Sequence, residues 1–320
     1  MNSGEATGSR IRRLVADDTR TRDLTMNEQP VSTETLLLLD RNAVAIIKDA
    51  VAGKPQPDEK KRVALEALRA LDVPEHSISP LLSIIEGERG REDTAEEKAG
   101  CLERETDVTG QFFRQANTDA AHLGSLKQLA ADLFADMRES LWDERADFLT
   151  KAAPLVCQKV AENKRLGVEG ELVQLAKACG LAPNDGIVML FLACLYGSDA
   201  ARKVIKPARP NAYNVLSDLH VIPRVGMVKA VARMLPHPVK VRFWTLDEGL
   251  FGVLSHVDIV LSHFSADGEL QMQVRYNPGL FPDLIKDEAG AASAIAMLHR
   301  IAAATAGGTA ANAGVTDTAS

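Results

Sequence analysis

The pattern of apolar and polar residues divides the chain into a patterned middle and two ends without a period. Residues 1–31 are rich in Arg, Thr, Asp and Ser, whereas residues 301–320 are mostly Ala, Gly and Thr. Because neither segment has an apolar face to bury, we predict a disordered tail at each end. The pattern between them predicts one domain over residues 32–300.

Strand and helix patterns follow one another in the first part of that domain. Residues 35–39 form a short apolar run that ends at Asp40 and is typical of a strand buried on both faces. Helical spacing covers about 42–51 and 58–71, and Pro80 suits the first turn of a further helix that carries Glu86.

The later segments complete the prediction. Residues of about 109–180 have a helical pattern, and helices are also predicted over about 183–196 and 211–235, with Pro223 ending or kinking the second. Alternating residues predict a strand at 239–245 and a hairpin of 257–264 with 270–276 around Asp267-Gly268. The expected fold is α/β, a mostly parallel central sheet flanked by helices, with a large helical insertion and a C-terminal β-hairpin.

Composition narrows the class of protein. Apolar residues make up 46% of the chain, and the net charge of −7 argues against a surface that is basic throughout. The four cysteines form no CxxC pair, so we expect reduced thiols rather than a zinc site or a disulfide framework. The longest apolar run, about 187–196, is half a membrane span, and no secretory signal is apparent. We therefore expect a cytoplasmic protein that does not contact a membrane.

Two acidic residues come directly after predicted strands. Asp40 follows the run of four leucines, and Asp247 follows the strand that contains Phe243 and Trp244. Ligands of open α/β sheets bind beyond the carboxyl ends of the strands, where these two side chains are expected. Hard divalent cations need several oxygen ligands in one place, so the pair suggests a metal site.

These segments resemble the PIN-domain family of nucleases. Residues 38–44 (LLDRNAV) look like the opening strand of that family with its first metal-site Asp, and residues 78–86 are similar to its second, acid-bearing element. Residues 244–250 (WTLDEGL) resemble its late strand-Thr-x-Asp element. The matches cover roughly 30 residues in the order of the family, so the chain would be a divergent and enlarged member.

The third acid of that family has two candidates in this chain. Asp185 stands at a predicted helix start but lies 62 residues before Asp247, a long gap for a compact domain. Asp218 lies 29 residues before Asp247, which is a more natural separation. The spacing favours Asp218 slightly, and Asp185 stays open.

The resemblance implies a metal-dependent endonuclease that holds one or two Mg²⁺ or Mn²⁺ ions and acts more commonly on RNA than on DNA. The implied catalytic ligands are Asp40, Glu86 and Asp247, completed by Asp218 or Asp185. Asn42 and Thr245 would hold these carboxylates in place. A role as a toxin or defence effector, controlled by a regulatory protein partner, follows from the analogy alone.

A basic segment precedes Asp247. Nine Lys or Arg residues lie between positions 201 and 242, with Asp218 as the only acidic residue there. Such a concentration is typical of a track for a phosphate backbone. The predicted nucleic-acid contacts are Arg202, Lys203, Lys206, Arg209, Arg224, Lys229 and Arg233, with Lys240 and Arg242 beyond them.

Each feature also has a purely structural interpretation. Asp40 and Asp185 occupy positions that suit helix caps, Asp218 could be a salt-bridge partner, and Glu86 or the basic segment could be a solvated helix face. Two other functions remain open. One is a non-catalytic PIN-like interaction module, and the other is a phosphohydrolase with Asp40 as nucleophile, which the lack of a DxD spacing disfavours.

Overall fold

A computed structural model of the chain describes residues 34–87, 93–128, 131–132, 141–234, 239–264, 270–285 and 288–312. The chain divides into two compact units. Unit 1 comprises Met1–Met137 with Met227–Leu246, and unit 2 comprises Arg138–Gly226 with Asp247–Ser320. The sequence pattern predicted one domain over residues 32–300, and each unit is described below by itself.

Unit 1 is built on a four-stranded parallel sheet. Its strands are β1 (Thr35–Leu39), β2 (His76–Ser79), β3 (Asn117–Thr118) and β4 (Lys240–Trp244), in the spatial order β3-β2-β1-β4. The central strand β1 is apolar along most of its length because it has a neighbour on both sides and helices on its faces. The α/β class and the mostly parallel sheet are therefore confirmed.

Three of the described helices of unit 1 begin at side-chain caps. The helices of this unit are α1 (Arg41–Val51), α2 (Glu59–Arg69), α3 (Leu81–Glu86), α4 (Ala95–Phe112) and α5 (Ala120–Ser125). Asp58 accepts a hydrogen bond from the Lys61 amide at the start of α2, and Thr94 forms a capping box with Glu97 at the start of α4. These side chains satisfy amide groups that have no partner within the first turn of a helix.

The core of unit 1 lies between the sheet and the first two helices. Leu39 of β1 and Trp244 of β4 belong to one buried apolar cluster with Val44 and Ile47 of α1 and Leu68 of α2. Burial of each large side chain stabilises the folded state by about 1.5–3 kcal/mol. The cluster thus holds α1 against the strand that precedes it.

Unit 2 is mainly helical. Its helices are α6 (Trp142–Val156), α7 (Glu162–Ala178), α8 (Gly186–Leu195), α9 (Asp199–Ile205), α11 (Glu248–Leu254) and α12 (Glu288–Asn312), while α10 (Ala212–Arg233) contributes residues to both units. Helix α8 is buried from Ile187 to Leu195 and packs against α6, α7 and α9. An apolar residue on every face of a helix is typical of such a central position.

The predicted C-terminal hairpin is confirmed. Strands β5 (Val257–Phe264) and β6 (Leu270–Tyr276) pair antiparallel, and their predicted Asp267-Gly268 turn lies outside the described residues. Two 3₁₀ turns follow, Pro278–Leu280 and Pro282–Leu284. Helix α12 is attached to α7 by Arg300, which donates two hydrogen bonds of 3.0 Å to the carboxylate of Glu169.

Several boundaries differ from the sequence pattern. Residues 301–312 of the predicted C-terminal tail are helical, while residues 1–31 and 313–320 lie outside the described residues. Pro223 neither ends α10 nor divides it, and strands β2 and β3 have no counterpart in the prediction. Among the described helices, none has the length and apolar character needed to cross a membrane.

Candidate functional site at the carboxyl edge of the sheet

Four polar residues stand at the carboxyl ends of the four parallel strands. Asp40 follows β1, Ser79 ends β2, Asp119 follows β3 and Thr245 follows β4. Because all four strands run in the same direction, these residues belong to one edge of the sheet. The chain places β2 and β3 on one side of β1 and β4 on its other side, and ligands of open α/β sheets bind where the strand order reverses in this way. We call these four residues the carboxyl-edge set.

Asp40 is a buried helix cap. Only 6% of its surface is exposed, and its Oδ1 accepts a hydrogen bond of 2.6 Å from the Ala43 amide at the start of α1. Its Oδ2 accepts from the Thr245 hydroxyl at 2.5 Å and from the Leu246 amide at 3.3 Å. A single carboxylate therefore joins the end of β1, the start of α1 and the end of β4.

The contacts of Asp40 limit what else it can bind. Burial raises the pKa of its carboxyl, and hydrogen bonds from Thr245, Ala43, Leu246 and Asn42 oppose that rise. A carboxylate offers about four lone-pair positions, and four donors already bind this one. Asn42 and Thr245 thus contact Asp40, and their predicted support of a bound metal remains a prediction.

Asp119 is the candidate that the sequence pattern missed. It occupies the N-cap position of α5 but makes no side-chain capping bond, and its buried Oδ1 has no hydrogen-bond partner. Burial raises the pKa of its carboxyl to about 6, although a hydrogen bond from Ser79 opposes the rise. In the sequence, Asp119 is recognisable only as an Asp that precedes a helix. The strand before it has two residues, too few to show the alternation that predicts a strand.

Glu86 is the last residue of α3, a short helix that packs against β1, α1 and α4. It is half-buried, and the next residue, Gly87, has a φ of +80° that ends the helix. The ammonium group of Lys98 donates to the carbonyls of Ile84 and Ile85 at 3.0 and 2.6 Å. Glu86 therefore belongs to the same unit as Asp40 and Asp119, on a fixed helix end.

The other predicted acids belong to unit 2. Asp247 caps α11 by accepting from the Leu250 amide at 2.8 Å, and Asp218 is half-buried in α10. Asp185 caps α8 and accepts from the guanidinium group of Arg145 through both oxygens, the shortest distance being 2.9 Å. For Asp185 these contacts match the helix-cap interpretation that the sequence left open, and Asp247 is a helix cap as well.

The described residues contain no group of three or more His, Cys, Asp or Glu side chains arranged to hold a metal ion. The predicted set therefore separates into two parts. Asp40 and Glu86 belong to unit 1 with Asp119, and Asp185, Asp218 and Asp247 belong to unit 2. The spacing of these acids along the sequence did not show that they belong to two different units.

The predicted basic track is only partly exposed. The guanidinium group of Arg202 donates to the carbonyls of Val156 and Cys194, 2.9 and 3.5 Å away, so it closes helix ends. Arg224 is buried, whereas Lys203 is exposed and pairs with Glu248 at 3.1 Å. Lys229 is half-buried, and the remaining residues of the track with exposed side chains are Lys206, Arg209 and Arg233.

Comparison with known proteins gives no relative: no protein-family model, no curated protein and no solved structure matches this chain. The likeness to PIN domains rests on the motif residues alone. The function must therefore be inferred from the residues of the chain itself.

We expect the substitution Thr245→Val to destabilise unit 1 by about 1–3 kcal/mol, because it removes a hydroxyl donor from a buried carboxylate. The measurement is urea unfolding. Thr150→Val is the matched control, since its hydroxyl bonds the Ala146 carbonyl on an exposed helix face. Equal unfolding midpoints for the two variants would contradict the role assigned to Thr245.

Asp119 should also give stability a measurable pH dependence. Its folded-state pKa is about 6 against an unfolded value near 3.8, so the folded state binds its proton more tightly. The free energy of unfolding should therefore fall as pH rises from about 4 to about 6, and stay flat above. Relative to the wild type, Asp119→Asn should gain stability over this interval, by up to about 3 kcal/mol at 1.36 kcal/mol per pH unit.

Urea midpoints of both proteins at pH 4 and pH 7, in the presence of EDTA, test this prediction. Asp58→Asn serves as the control because Asp58 is an exposed cap with its own amide partner. A difference between the wild type and Asp119→Asn that does not change with pH would contradict it.

Proposed function

We propose that unit 1 is a metal-dependent endonuclease that cleaves RNA at the carboxyl edge of its parallel sheet. The observation that carries this proposal is the pair Asp40 and Asp119, two strand-end carboxylates on one edge, of which Asp119 has a buried oxygen without a partner. Such an oxygen is costly to leave unsatisfied, and a bound cation would satisfy it. Glu86 from α3 is proposed as the third acid.

The donor chemistry fits a divalent cation. Every candidate atom in unit 1 is a carboxylate or hydroxyl oxygen, the type that Mg²⁺ and Mn²⁺ prefer. Mg²⁺ is usually held by one or two carboxylates and keeps several water molecules, so it does not require a preformed group of three acids. Asp119 offers the available oxygen, whereas Asp40 already accepts from four donors and would bind a cation in place of one of them.

Each residue of the carboxyl-edge set has a defined task in this proposal. A bound cation would lower the pKa of a water molecule and neutralise the charge that develops on a phosphodiester. Ser79 orients Asp119 by donating a hydrogen bond to it, and Thr245 holds Asp40. Asp119 takes the place that the sequence pattern divided between Asp185 and Asp218.

A PIN-like fold is part of the same proposal. It is supported by the parallel sheet, by Asp40 at the end of β1 and by the Thr245 hydroxyl bonded to that carboxylate. The preference for RNA, the role as a toxin or defence effector and a regulatory protein partner follow from the PIN resemblance. Of the exposed residues of the basic track, Arg233 belongs to unit 1 and is the candidate for contact with the substrate backbone there, while Lys206 and Arg209 belong to unit 2.

A non-catalytic interaction module is the second candidate function. It is favoured by the full engagement of Asp40 as a helix cap and by the lack of a three-acid group among the described residues. A phosphohydrolase that uses Asp40 as nucleophile is disfavoured, because both carboxylate oxygens already accept hydrogen bonds.

The proposal predicts RNA cleavage that requires Mg²⁺ or Mn²⁺ and is abolished by EDTA. Asp119→Asn and Asp40→Asn should each lower the cleavage rate by at least roughly 100-fold, because each removes a charged ligand from the ion. Asp58→Asn is the matched control, a helix-cap Asp of the same unit, and should retain full activity. The assay uses fluorogenic single-stranded RNA and DNA with the purified full chain.

The remaining outcomes separate the candidate functions. Cleavage that survives both substitutions would contradict the proposed site. If the wild type neither cleaves RNA nor binds Mn²⁺, the interaction module becomes the better description. Hydrolysis of p-nitrophenyl phosphate that depends on Asp40, without RNA cleavage, would instead favour a phosphohydrolase.

A further inference from the structure

The carboxylate of Asp72 binds three successive backbone amides. It accepts hydrogen bonds from Arg114 at 3.0 Å, from Gln115 at 2.8 Å and from Ala116 at 2.9 Å, all through Oδ1, while Oδ2 also accepts from Arg114 at 3.1 Å. Asp72 follows α2, whereas the three amides lie about 40 residues later, after the end of α4. One side chain thus fixes the path of the chain between α4 and β3.

The segment that Asp72 holds leads directly to Asp119. Strand β3 has only two residues, Asn117 and Thr118, which pair with Ser77 and Ile78 of β2. Two paired residues are too few to set the register of a strand, since natural strands usually have three to ten. Asp119 comes next in the chain, so its position depends on what holds the residues before it.

Helix α5 restrains Asp119 through a backbone hydrogen bond, which the Asp119 carbonyl accepts from the Leu123 amide at 2.9 Å. Asp119 makes no side-chain capping bond to α5, which is six residues long. The hydrogen bond from Ser79 orients the carboxylate. The three amide contacts to Asp72, together with the pairing of β3 with β2, restrain the backbone that precedes Asp119.

The contact is also electrostatically suited to act as an anchor. Partial burial of Asp72 favours its neutral form, but the amides of Ala116, Gln115 and Arg114 outweigh burial and lower the pKa of its carboxyl. Hydrogen bonds from amides to an ionised acceptor are about twice as strong as those between neutral groups. Asp72 is thus ionised at neutral pH and keeps its three partners.

We infer that Asp72 is a positioning residue for Asp119: by binding the amides of residues 114–116 it holds the metal-binding carboxylate at the carboxyl edge. This inference rests on the proposed function, in which Asp119 is a ligand of Mg²⁺ or Mn²⁺. It assigns no contact between Asp72 and the ion. Asp72 acts only through the backbone of residues 114–118.

Mn²⁺ affinity, measured by calorimetry on the full chain, tests the inference without relying on cleavage. Asp72→Ala should raise the Kd for Mn²⁺ by roughly 10- to 100-fold, the usual effect of losing a group that orients a ligand. Asp72→Asn keeps an acceptor oxygen and should give an intermediate value. Asp58→Ala is the matched control, because it removes one amide contact from α2 and leaves β3 intact.

A double-mutant cycle separates positioning from general destabilisation. In an Asp119→Asn background, Asp72→Ala should cause no further loss of Mn²⁺ affinity, because the carboxylate that it positions is already absent. Amide hydrogen exchange of residues 117–120 should also become faster in Asp72→Ala and stay unchanged in Asp58→Ala. Asp72→Asn provides the same readouts if Asp72→Ala does not fold.

Three results would overturn the inference: an unchanged Kd in Asp72→Ala, an equal loss of affinity in both backgrounds, or an equal loss in Asp58→Ala. A wild-type protein that binds no Mn²⁺ contradicts the proposed function instead. In that case the exchange of residues 117–120 still decides whether Asp72 holds this segment in place.

Discussion

The structure of unit 1 depends on one buried carboxylate, that of Asp40, which accepts hydrogen bonds from two segments that lie far apart in the chain. Asp40 ends β1, caps α1 through the Ala43 amide and accepts from the Thr245 hydroxyl beyond β4. Its own backbone amide donates to the Trp244 carbonyl at 3.0 Å. A buried charge is tolerated only where several donors surround it, so the four donors to Asp40 must be in place together. The carboxylate of Asp40 thereby links the start of α1 to the ends of β1 and β4.

The sequence revealed those parts of the fold that have a clear hydrophobic period. Residues 35–39, 257–264 and 270–276 were predicted as strands, and β4 lies within the predicted 239–245. Strand β2, with the sequence His-Ser-Ile-Ser, has one apolar residue, and β3 is too short for any period. Strand β2 forms because β1 offers it a neighbour, and β3 forms because β2 does; both are tertiary effects that a local pattern does not contain.

In the candidate site too, the sequence predicted only residues that lie next to a clear hydrophobic pattern. Asp40 and its contact with Thr245 could be anticipated, because each residue follows an apolar run that marks a strand. Asp119 could not, because β3 gave no signal that it stood at a strand end. Nor could the sequence show that Arg145 would neutralise Asp185 or that Arg202 would turn inward to helix carbonyls. Buried polar groups find partners through tertiary structure, and charge counts along the chain do not identify them.

Among the described strands, β4 is an edge strand of the four-stranded sheet. The backbone groups on its outer side could pair with a strand of another chain. The sequence of β4, Lys-Val-Arg-Phe-Trp, places cationic side chains at positions 240 and 242, and Lys240 is exposed. Positive charges on an edge strand disfavour pairing with the same strand of a second copy, because like charges would lie opposite each other in the two paired strands. Lys240, first considered as a contact for nucleic acid, would thus also oppose self-association into extended β-assemblies.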